Sequence, residues 1–401
     1  MDVVDTTDEG TQVKVLVYRR NLLPYSETFV RAQVLSYRRW HGVLAGLEYV
    51  PGSSLEGLPT LLLGKRRLGI GERIVRKISE QVGLAPHSDV AKLRGEQAQI
   101  AHVHFGTDAV MIWPALRRLK IPVVVTLHGY DINTHKEWWE KGYGGLWRRT
   151  YPKRLLAMAD NANVSFIAVS EAIRKRAMEF GIPGDTVAVR YIGVDTSRFR
   201  PGPVPIAKRK RRILFVGRLV EKKGCGYLIE AFARVKGRVP DAELAIVGSG
   251  PLSDDLMRQV HDLDILVEFL GALPPNEVRQ QLNQARVFCL ASVGAENGDA
   301  EGFGIVILEA QASGVPVVTS AHGGAAEGII EGKTGYSFPE RDVDMLTNRL
   351  EQLLLDDSIA SSFSLAAPAF VGERFDIRDC TALLEDYYDN VLNVVSRAHL
   401  K

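Results

Sequence analysis

The feature that most constrains the fold of this 401-residue chain is a regular alternation of short apolar runs with longer amphipathic stretches. In the first half, this pattern predicts strands at 13–18, 41–46, 100–104, 123–128 and 166–170, and helices at 26–37, 109–119 and 171–180. In the second half, it predicts strands at 213–216, 243–247, 267–270, 287–291, 316–319 and near 336, and helices at 226–236, 252–263, 276–284, 305–313, 325–330 and 342–354. Strands that alternate with helices favour the α/β class with doubly wound parallel sheets.

A proline-rich segment divides this alternation into two halves. Residues 198–205 contain three prolines and have the composition of a linker. A chain of this length favours two cores rather than one. We therefore expect a Rossmann-like domain over residues 1–205, a second over 206–376, and a C-terminal helix within 377–401. The two domains would face an interdomain cleft, because ligands of such sheets bind beyond the carboxyl ends of the strands.

Composition and charge exclude several classes of partner. The formal net charge of +2 gives no indication of a nucleic-acid-binding protein. The three cysteines are scattered along the chain, so neither a disulfide framework nor a Cys/His metal cluster is indicated, and a reducing cytoplasm fits best. The first residues are acidic and polar, unlike a secretory signal, and no run of about 18 apolar residues predicts a membrane span.

Two glutamates eight positions apart, Glu301 and Glu309, stand at a predicted strand–loop–helix junction. Glu301 lies in a glycine-rich loop at the start of the helix, where backbone amides are free to hold an anion. Glu309 lies among apolar positions of that helix, where a carboxylate that stays charged without a partner costs several kcal/mol. The combination of a glycine turn, a helix N-terminus and two carboxylates predicts a phosphorylated ligand that also carries hydroxyl groups.

Two cations follow the predicted strand at 213–216. Arg218 and Lys223 come after Gly217, at the point where this strand ends. Two cations at the carboxyl end of a strand suit a diphosphate, since the arginine offers a planar fork and the lysine a point charge. The alternative interpretation is a solvated basic turn.

The other motifs give no indication of a bound cofactor. Gly248 begins a Gly-x-Gly sequence after a strand, but Pro251 and Leu252 follow it, and the third glycine that would open the helix of a dinucleotide site is missing. A nicotinamide cofactor is therefore disfavoured. Two Asp-x-Asp pairs stand at the ends of predicted helices and are interpreted as capping or chance acids: Asp262 with Asp264, and Asp342 with Asp344. We expect no cofactor and no metal ion.

Residues 299–309, Asp-Ala-Glu-Gly-Phe-Gly-Ile-Val-Ile-Leu-Glu, resemble the Glu-x7-Glu motif of retaining nucleotide-sugar glycosyltransferases of family 4 (group 1), which have the GT-B fold. Residues 217–224 are similar to the Gly-Arg-x4-Lys-Gly segment of the same family. The resemblance extends from Val13 to about Tyr388 and favours an exopolysaccharide-type member. It implies a GT-B enzyme that moves a hexosyl group from a nucleoside diphosphate sugar, with UDP favoured over GDP, to a hydroxyl of a glycan or lipid-linked acceptor. The reaction would retain the anomeric configuration and need no metal, and the C-terminal helix would cross back to the first domain.

The resemblance also implies roles for individual residues. Arg218 and Lys223 would stabilise the departing diphosphate together with the helix N-terminus at Gly304. Glu301 would bind hydroxyls of the transferred sugar, Glu309 those of the ribose, and His128 would act at the donor sugar. The remaining donor-binding candidates are Gly302, Phe303, Gly217, Gly248 and Leu270, and the acceptor-side candidates are His104, Asp131 and Ser26. Ser26 is also a good N-cap for the helix that follows it, and this structural role is the alternative explanation of its presence.

Two alternative functions share the same residues. A nucleotide-sugar 2-epimerase of this fold would form the epimer without an acceptor. A non-catalytic sugar-nucleotide-binding protein would bind the donor without turnover.

An aromatic and basic stretch favours contact with the cytoplasmic face of a membrane. It combines tryptophans with nearby cations: Trp138, Trp139, Trp147, Arg148, Arg149, Lys153 and Arg154, together with Lys65, Arg66 and Arg67. Peripheral attachment there would suit a lipid-linked acceptor. The alternative interpretation is an ordinary insertion packed on its domain, with a soluble acceptor.

Overall fold

The computed structural model describes residues 13–22, 28–50, 55–64 and 69–399. The strands are β1 (Lys14–Tyr18), β2 (Asn21–Leu22), β3 (His41–Gly46), β4 (Glu48–Tyr49), β5 (Thr60–Leu62), β6 (Ile100–His104), β7 (Val123–Leu127), β8 (Val164–Ala168), β9 (Val187–Val189), β10 (Arg212–Val216), β11 (Glu243–Val247), β12 (Glu268–Gly271), β13 (Val287–Leu290), β14 (Val317–Ser320) and β15 (Gly335–Phe338).

The helices are α1 (Thr28–Leu35), α2 (Ile70–Gln81), α3 (His87–Gly95), α4 (Gly106–Leu116), α5 (Tyr130–Asn133), α6 (Lys136–Glu140), α7 (Tyr151–Ala159), α8 (Glu171–Phe180), α9 (Cys225–Arg238), α10 (Ser253–Asp262), α11 (Pro275–Gln284), α12 (Ile305–Ala312), α13 (Val343–Leu355), α14 (Asp357–Phe375) and α15 (Ile377–His399). Within the described ranges, no helix is both long enough and apolar enough to cross a bilayer.

The strands form two large sheets and one small one. The first has the order β5-β3-β1-β6-β7-β8-β9, the second has the order β12-β11-β10-β13-β14-β15, and β2 pairs with β4. The central pairs of both large sheets are parallel. Each sheet reverses its strand order once, between β1 and β6 in the first and between β10 and β13 in the second. Ligands of doubly wound sheets bind at such a reversal, beyond the carboxyl ends of the strands.

The doubly wound α/β class predicted from the sequence is confirmed. A predicted helix at 325–330 is wrong, because a 3-10 helix at Gly323–Gly328 occupies this position. The sequence analysis also missed α14, which packs on α12 and α13. Helix α14 carries apolar residues on all sides and Pro368 in its interior, so it lacks the one-sided stripe by which an amphipathic helix is recognised.

The packing of the chain divides it into two compact units. Unit 1 comprises 1–126, 153–166 and 381–401, and unit 2 comprises 127–152 and 167–380. All strands of the seven-stranded sheet precede the proline-rich segment, and all strands of the six-stranded sheet follow it. The domain limits at 205 and 376 stay predictions.

Residues of α15 from Thr381 onward belong to unit 1. The buried carboxylate of Glu385 accepts hydrogen bonds from the backbone amides of Arg38, Arg39 and Trp40, at 2.8, 2.9 and 3.0 Å. The hydroxyl of Tyr388 hydrogen bonds to the ring of His102 over 2.6 Å. These contacts fix the last helix within its unit through polar groups that burial makes costly to separate.

Candidate active site

Glu301 lies in the loop between β13 and α12, and its side chain is buried. The Lys223 Nζ donates a hydrogen bond to its Oε2. A second pair lies beside the first, because the Lys222 Nζ donates to the Asp299 Oδ1 over 3.0 Å. Two consecutive lysines at the carboxyl end of β10 therefore hold two acids at the carboxyl end of β13, across the reversal of strand order.

The ion pair with Lys223 keeps Glu301 charged. Burial opposes ionisation of this carboxyl, but the charges of Lys223 and Lys222 and the hydrogen bond from Lys223 outweigh it, so the pKa of Glu301 is lowered. At Asp299 burial outweighs the attraction of Lys222, and the pKa is raised. Burial and the lysine charges therefore shift the pKa values of the two acids in opposite directions.

The backbone around Glu301 is packed too closely for side chains. A Cβ on Gly302 would lie 1.9 Å from the carbonyl oxygen of His128, so only glycine fits there. The carbonyl of Gly302 accepts a hydrogen bond from the Ser170 Oγ at 2.7 Å. The carbonyl of Ala300 accepts one from the Asn133 Nδ2 at 3.2 Å. The peptide carbonyls on both sides of Glu301 are therefore fixed by buried side chains.

Helix α12 begins directly after this loop. Gly304 caps it in the left-handed conformation, with φ of +79°, which glycine adopts without strain. The first backbone amides of a helix carry partial positive charge. In α12 the Ile307 amide already donates to the carbonyl of Gly304 at 2.8 Å, so the amides of Ile305 and Val306 are the ones that can face an anion. An anion beyond the carboxyl ends of β10 and β13 would meet these amides.

The basic turn after β10 carries positive charge, like the N-terminus of α12. Lys223 is half-buried and paired with Glu301, whereas Arg218 is exposed and takes part in no ion pair among the residues that the structure describes. Gly248 comes close to this turn, since a Cβ on it would lie 1.8 Å from the carbonyl oxygen of Gly217. The Gly248 amide donates to the carbonyl of Gly271 over 2.7 Å, which places the end of β12, next to Leu270, beside Gly248.

Glu309 lies on α12 and is half-buried. Removal from water raises the pKa of its carboxyl to about 7, against the attraction of Arg198. Among the described residues, no group donates a hydrogen bond to this carboxylate. The role of Glu309 at the ribose hydroxyls stays a prediction.

Models of two glycosyltransferase families match successive parts of the chain. Residues 65–198 match "Glycosyltransferase Family 4", and residues 198–369 match "Glycosyl transferases group 1". The chain is 35% identical over 297 residues to a GDP-mannose-dependent alpha-(1-6)-phosphatidylinositol monomannoside mannosyltransferase of Mycolicibacterium smegmatis, covering 70% of this chain and 73% of the relative. The chain belongs to the group 1 glycosyltransferases.

Further comparisons agree with this assignment. The amylovoran biosynthesis glycosyltransferase AmsK of Erwinia amylovora is 31% identical to this glycosyltransferase over 298 residues, which are 73% of this chain and 70% of AmsK. The crystal structure of Anabaena HepE in complex with UDP and glucose superposes with a TM-score of 0.76 at 20% identity, over 94% of this chain and all of HepE. This likeness confirms the predicted GT-B fold with two Rossmann-like domains.

His128 and Asp131 follow β7 in the glycosyltransferase. The Asp131 carboxylate accepts hydrogen bonds from the backbone amides of His128 and Gly129, each at 3.0 Å, and it is fully buried. Asp131 therefore shapes the turn that carries His128. The roles of His128 at the donor sugar and of Asp131 at the acceptor stay predictions, and burial counts against direct contact between Asp131 and an acceptor.

The other acceptor-side candidates lie elsewhere in the sequence. Ser26 is outside the described residues. His104 is buried in unit 1, where its ring stacks on His102 with 4.5 Å between ring centroids. Burial lowers the pKa of His102 to about 3, so that ring is neutral. The ring of His104 therefore contributes to the packing of unit 1, and its acceptor role stays a prediction.

Phe303 illustrates a structural role inside the motif. Its ring is buried and packs on Tyr191 and Phe375, with centroids 5.1 and 5.5 Å apart. The phenyl group therefore anchors the loop that carries Glu301. A donor contact at this position, which stays a prediction, would have to use the backbone.

Both Asp-x-Asp pairs lie at helix ends, since α10 ends at Asp262 and Asp342 precedes α13. Among the described residues, no three His, Cys, Asp or Glu side chains lie close enough to bind a metal ion. The Asp342 side chain caps α13 by accepting from the Met345 amide at 2.8 Å, and Asp344 pairs with Arg234. The interpretation of this pair as capping acids is confirmed for Asp342.

The tryptophan stretch is packed in the interior only at Trp139, whereas Trp147, Arg149 and Lys153 are exposed. Trp139 is fully buried, and its ring lies 4.8 Å from that of Tyr151 and 5.1 Å from that of Trp138. Trp147 alone of the three tryptophans is exposed, at 42%. The expectation that Trp139 faces a membrane is therefore wrong, because the apolar surface of its ring is already covered. Lys65, Arg66 and Arg67 lie outside the described residues.

The sequence analysis missed the residues that fix the Glu301 loop. Asn133 and Ser170 come from segments far from Glu301 in sequence, and no local pattern links them to it. The one available signal was at Ser170, which has the form of a helix N-cap and accepts from the Ile173 amide at 3.2 Å.

Replacement of Asn133 or Ser170 by alanine is expected to lower turnover about tenfold while nucleoside diphosphate affinity stays near wild type. Each variant frees one carbonyl beside Glu301, and small displacements of a catalytic group cost about this much or more. Steady-state kinetics and calorimetry with free nucleotide would separate the two effects. Ser170→Ala also removes the cap of α8, so Asp342→Ala, which uncaps α13, is the matched control. Loss of stability without the drop in turnover would show a structural role only.

Proposed function

We propose that this glycosyltransferase moves a hexosyl group from a nucleoside diphosphate sugar to an acceptor hydroxyl with retention of configuration. The observation that carries the proposal is the charged, buried Glu301, held by Lys223 at the reversal of strand order and followed directly by the N-terminus of α12. A rigid anion beside a cationic cradle matches a substrate with hydroxyls at one end and a diphosphate at the other.

The proposed reaction breaks the bond between the sugar C1 and the diphosphate oxygen, and the electron pair leaves with the diphosphate. Arg218, Lys223 and the amides of α12 stabilise this developing charge, as preorganised donors do in an oxyanion hole. The acceptor oxygen forms its bond to C1 on the same face, and its proton passes to the departing phosphate. Glu301 binds sugar hydroxyls and stabilises the positive charge that develops on the ring.

The names of relatives support two donor bases and two kinds of product. The mycobacterial relative is named for GDP-mannose and a phosphatidylinositol mannoside, AmsK for amylovoran biosynthesis, and HepE was crystallised with UDP and glucose. We propose an acceptor in polysaccharide or glycolipid assembly, lipid-linked and at the cytoplasmic membrane face. The preference for UDP over GDP stays a prediction.

A panel of UDP- and GDP-sugars tests the proposal, with calorimetry for binding and nucleotide release for turnover. Binding of one donor with slow hydrolysis, accelerated by acceptor-containing lipid extract, is the expected result. Conversion of the donor to its epimer without acceptor would support the 2-epimerase. Binding with no turnover under either condition would support a non-catalytic binding protein.

Turnover is expected to persist in EDTA, because Arg218 and Lys223 supply the positive charge that a metal would otherwise provide. Nucleotide release is measured after dialysis against EDTA and again after adding magnesium or manganese. Unchanged rates agree with the proposal. Loss of activity in EDTA that manganese restores would contradict it.

A further inference from the structure

Helix α2 presents its apolar side chains to solvent. Four of them share one face with Val82, which lies one residue beyond the end of the helix, since the five recur at spacings of three, four and seven residues. Their exposed fractions are high for aliphatic side chains: Ile70 81%, Ile74 48%, Val75 64%, Ile78 47% and Val82 64%. The arc that they occupy is about 140° wide, as in a helix that packs against a core.

The opposite face of α2 turns toward the protein through a polar contact. Arg76 forms an ion pair with Asp89 of α3, whose carboxylate is buried. Arg76 lies roughly 160° around the helix from Ile78, at about 100° per residue. The polar side of α2 therefore faces the protein and the apolar side faces the solvent. A surface helix in water is normally stabilised by the opposite arrangement.

Exposed arginines surround this apolar face. Arg73 lies on α2 itself and pairs with Glu48 at 3.2 Å. Beyond the end of the helix, Arg117 donates to the carbonyl of Gly83 at 3.0 Å and Arg118 to that of Ala85 at 3.4 Å. In the sequence, Lys65, Arg66 and Arg67 come shortly before the helix.

An apolar arc flanked by cations is complementary to an anionic lipid surface. Aliphatic side chains enter the boundary between headgroups and acyl chains while arginines contact the phosphates. A second copy of the chain fits this face less well, because a twofold contact would bring the two sets of arginines together. The charges therefore favour a bilayer over self-association.

We propose that α2 lies in the interface of an anionic bilayer, with Ile70, Ile74, Val75, Ile78 and Val82 inserted between the lipids. This inference rests on the proposed lipid-linked acceptor and assigns the membrane-contacting surface to unit 1 instead of the tryptophan stretch. Attachment is reversible and depends on salt, because one interfacial helix and a few cations give modest affinity.

Co-sedimentation with vesicles tests the proposal, with phosphatidylcholine alone compared with phosphatidylcholine containing phosphatidylglycerol. The wild-type chain is expected to bind the anionic vesicles at low salt and to bind at least tenfold more weakly at high salt. The double variant Ile74→Ser/Ile78→Ser is expected to lose at least tenfold in binding, and Arg117→Ala/Arg118→Ala severalfold. Leu365→Ser removes a leucine of unit 2 that is even more exposed, at 81%, and is expected to bind as wild type.

Measurement of donor binding distinguishes a failure of the membrane proposal from a failure of the proposed function. If Ile74→Ser/Ile78→Ser binds nucleotide as wild type, its loss of vesicle binding reports the helix face and not misfolding. A wild-type chain that binds donor but not anionic vesicles at low salt would overturn the inference alone. Concentration-dependent dimerisation that the same double variant abolishes would assign the face to a second copy and also overturn it.

Discussion

Lys223→Ala and Arg218→Ala are each expected to lower donor turnover by about 10²–10³-fold, as removal of one oxyanion-hole donor does. Both side chains follow β10, where the proposed mechanism places the departing diphosphate. Single-turnover kinetics with saturating donor measures the effect on chemistry rather than on binding. Lys210→Ala is the matched control, since it removes the same charge from the amino end of the same strand, where Lys210 forms an exposed pair with Glu243.

The two variants are expected to differ in stability, although their effects on turnover are similar. Loss of Lys223 leaves the buried carboxylate of Glu301 without its partner, and breaking a buried pair in this way costs about 3–5 kcal/mol. Loss of the exposed Arg218 is expected to change the free energy of unfolding by less than about 0.5 kcal/mol. Urea denaturation of both variants, without ligand, measures the difference.

The pH dependence of stability should identify Glu301 as the cause. Because its folded-state pKa is lowered, the carboxyl stabilises the wild type above the unfolded-state pKa of about 4.3, and this contribution is lost as the pH falls through the folded value. The deficit of Lys223→Ala is therefore expected to be largest at neutral pH and to shrink in acid. Equal stability of the two variants at pH 7, or turnover of both near wild type, would contradict the assignment.

The approach of Glu301 to Lys223 was predictable because strand order is governed by general rules. The two residues are 78 positions apart, yet each follows a strand at the reversal point of a doubly wound sheet. The apolar runs of β10 and β13 and the glycines after them were sufficient to place both residues at one edge. The motif resemblance then singled out these two among the charged residues of the loops.

Contacts between irregular segments were not predictable in the same way. Asn133 and Ser170 reach the Glu301 loop only because the chain after β7 and β8 packs on it, and a single buried hydrogen bond leaves no periodic pattern in the sequence. The orientation of α2 is a related case. An apolar stripe predicts a helix, but it does not specify which side faces the solvent, and here the Arg76–Asp89 pair decides it.

Glu309→Gln is expected to weaken donor binding and to stabilise the free enzyme. The carboxylate of Glu309 has no hydrogen-bond donor among the described residues, and its pKa is raised to about 7 because it is removed from water. Ribose hydroxyls would donate to the charged form, so the variant should lose about 1.5–3 kcal/mol of binding free energy, the range for hydrogen bonds to a charged group. Calorimetry with the nucleoside diphosphate at pH 8 measures this loss.

The pH dependence has opposite signs for binding and for stability. Donor affinity of the wild type should rise between pH 6 and pH 8 as Glu309 loses its proton, and that of Glu309→Gln should stay flat. For folding, a raised carboxyl pKa means that the favourable neutral form is fully present below the unfolded-state pKa of about 4.3 and is lost as the pH rises through about 7. The wild type should therefore become less stable than the variant over this interval.

Glu373→Gln is the control for this experiment, because it makes the same change at an exposed glutamate on α14 of the same unit. It should alter neither the affinity nor the pH profile. If Glu309→Gln is more stable than the wild type at pH 8 but binds donor less well, the carboxylate of Glu309 destabilises the fold and is retained because it binds the ligand. If Glu309→Gln kept wild-type affinity at pH 8, the ribose contact would have to lie elsewhere, and the raised pKa would reflect burial alone.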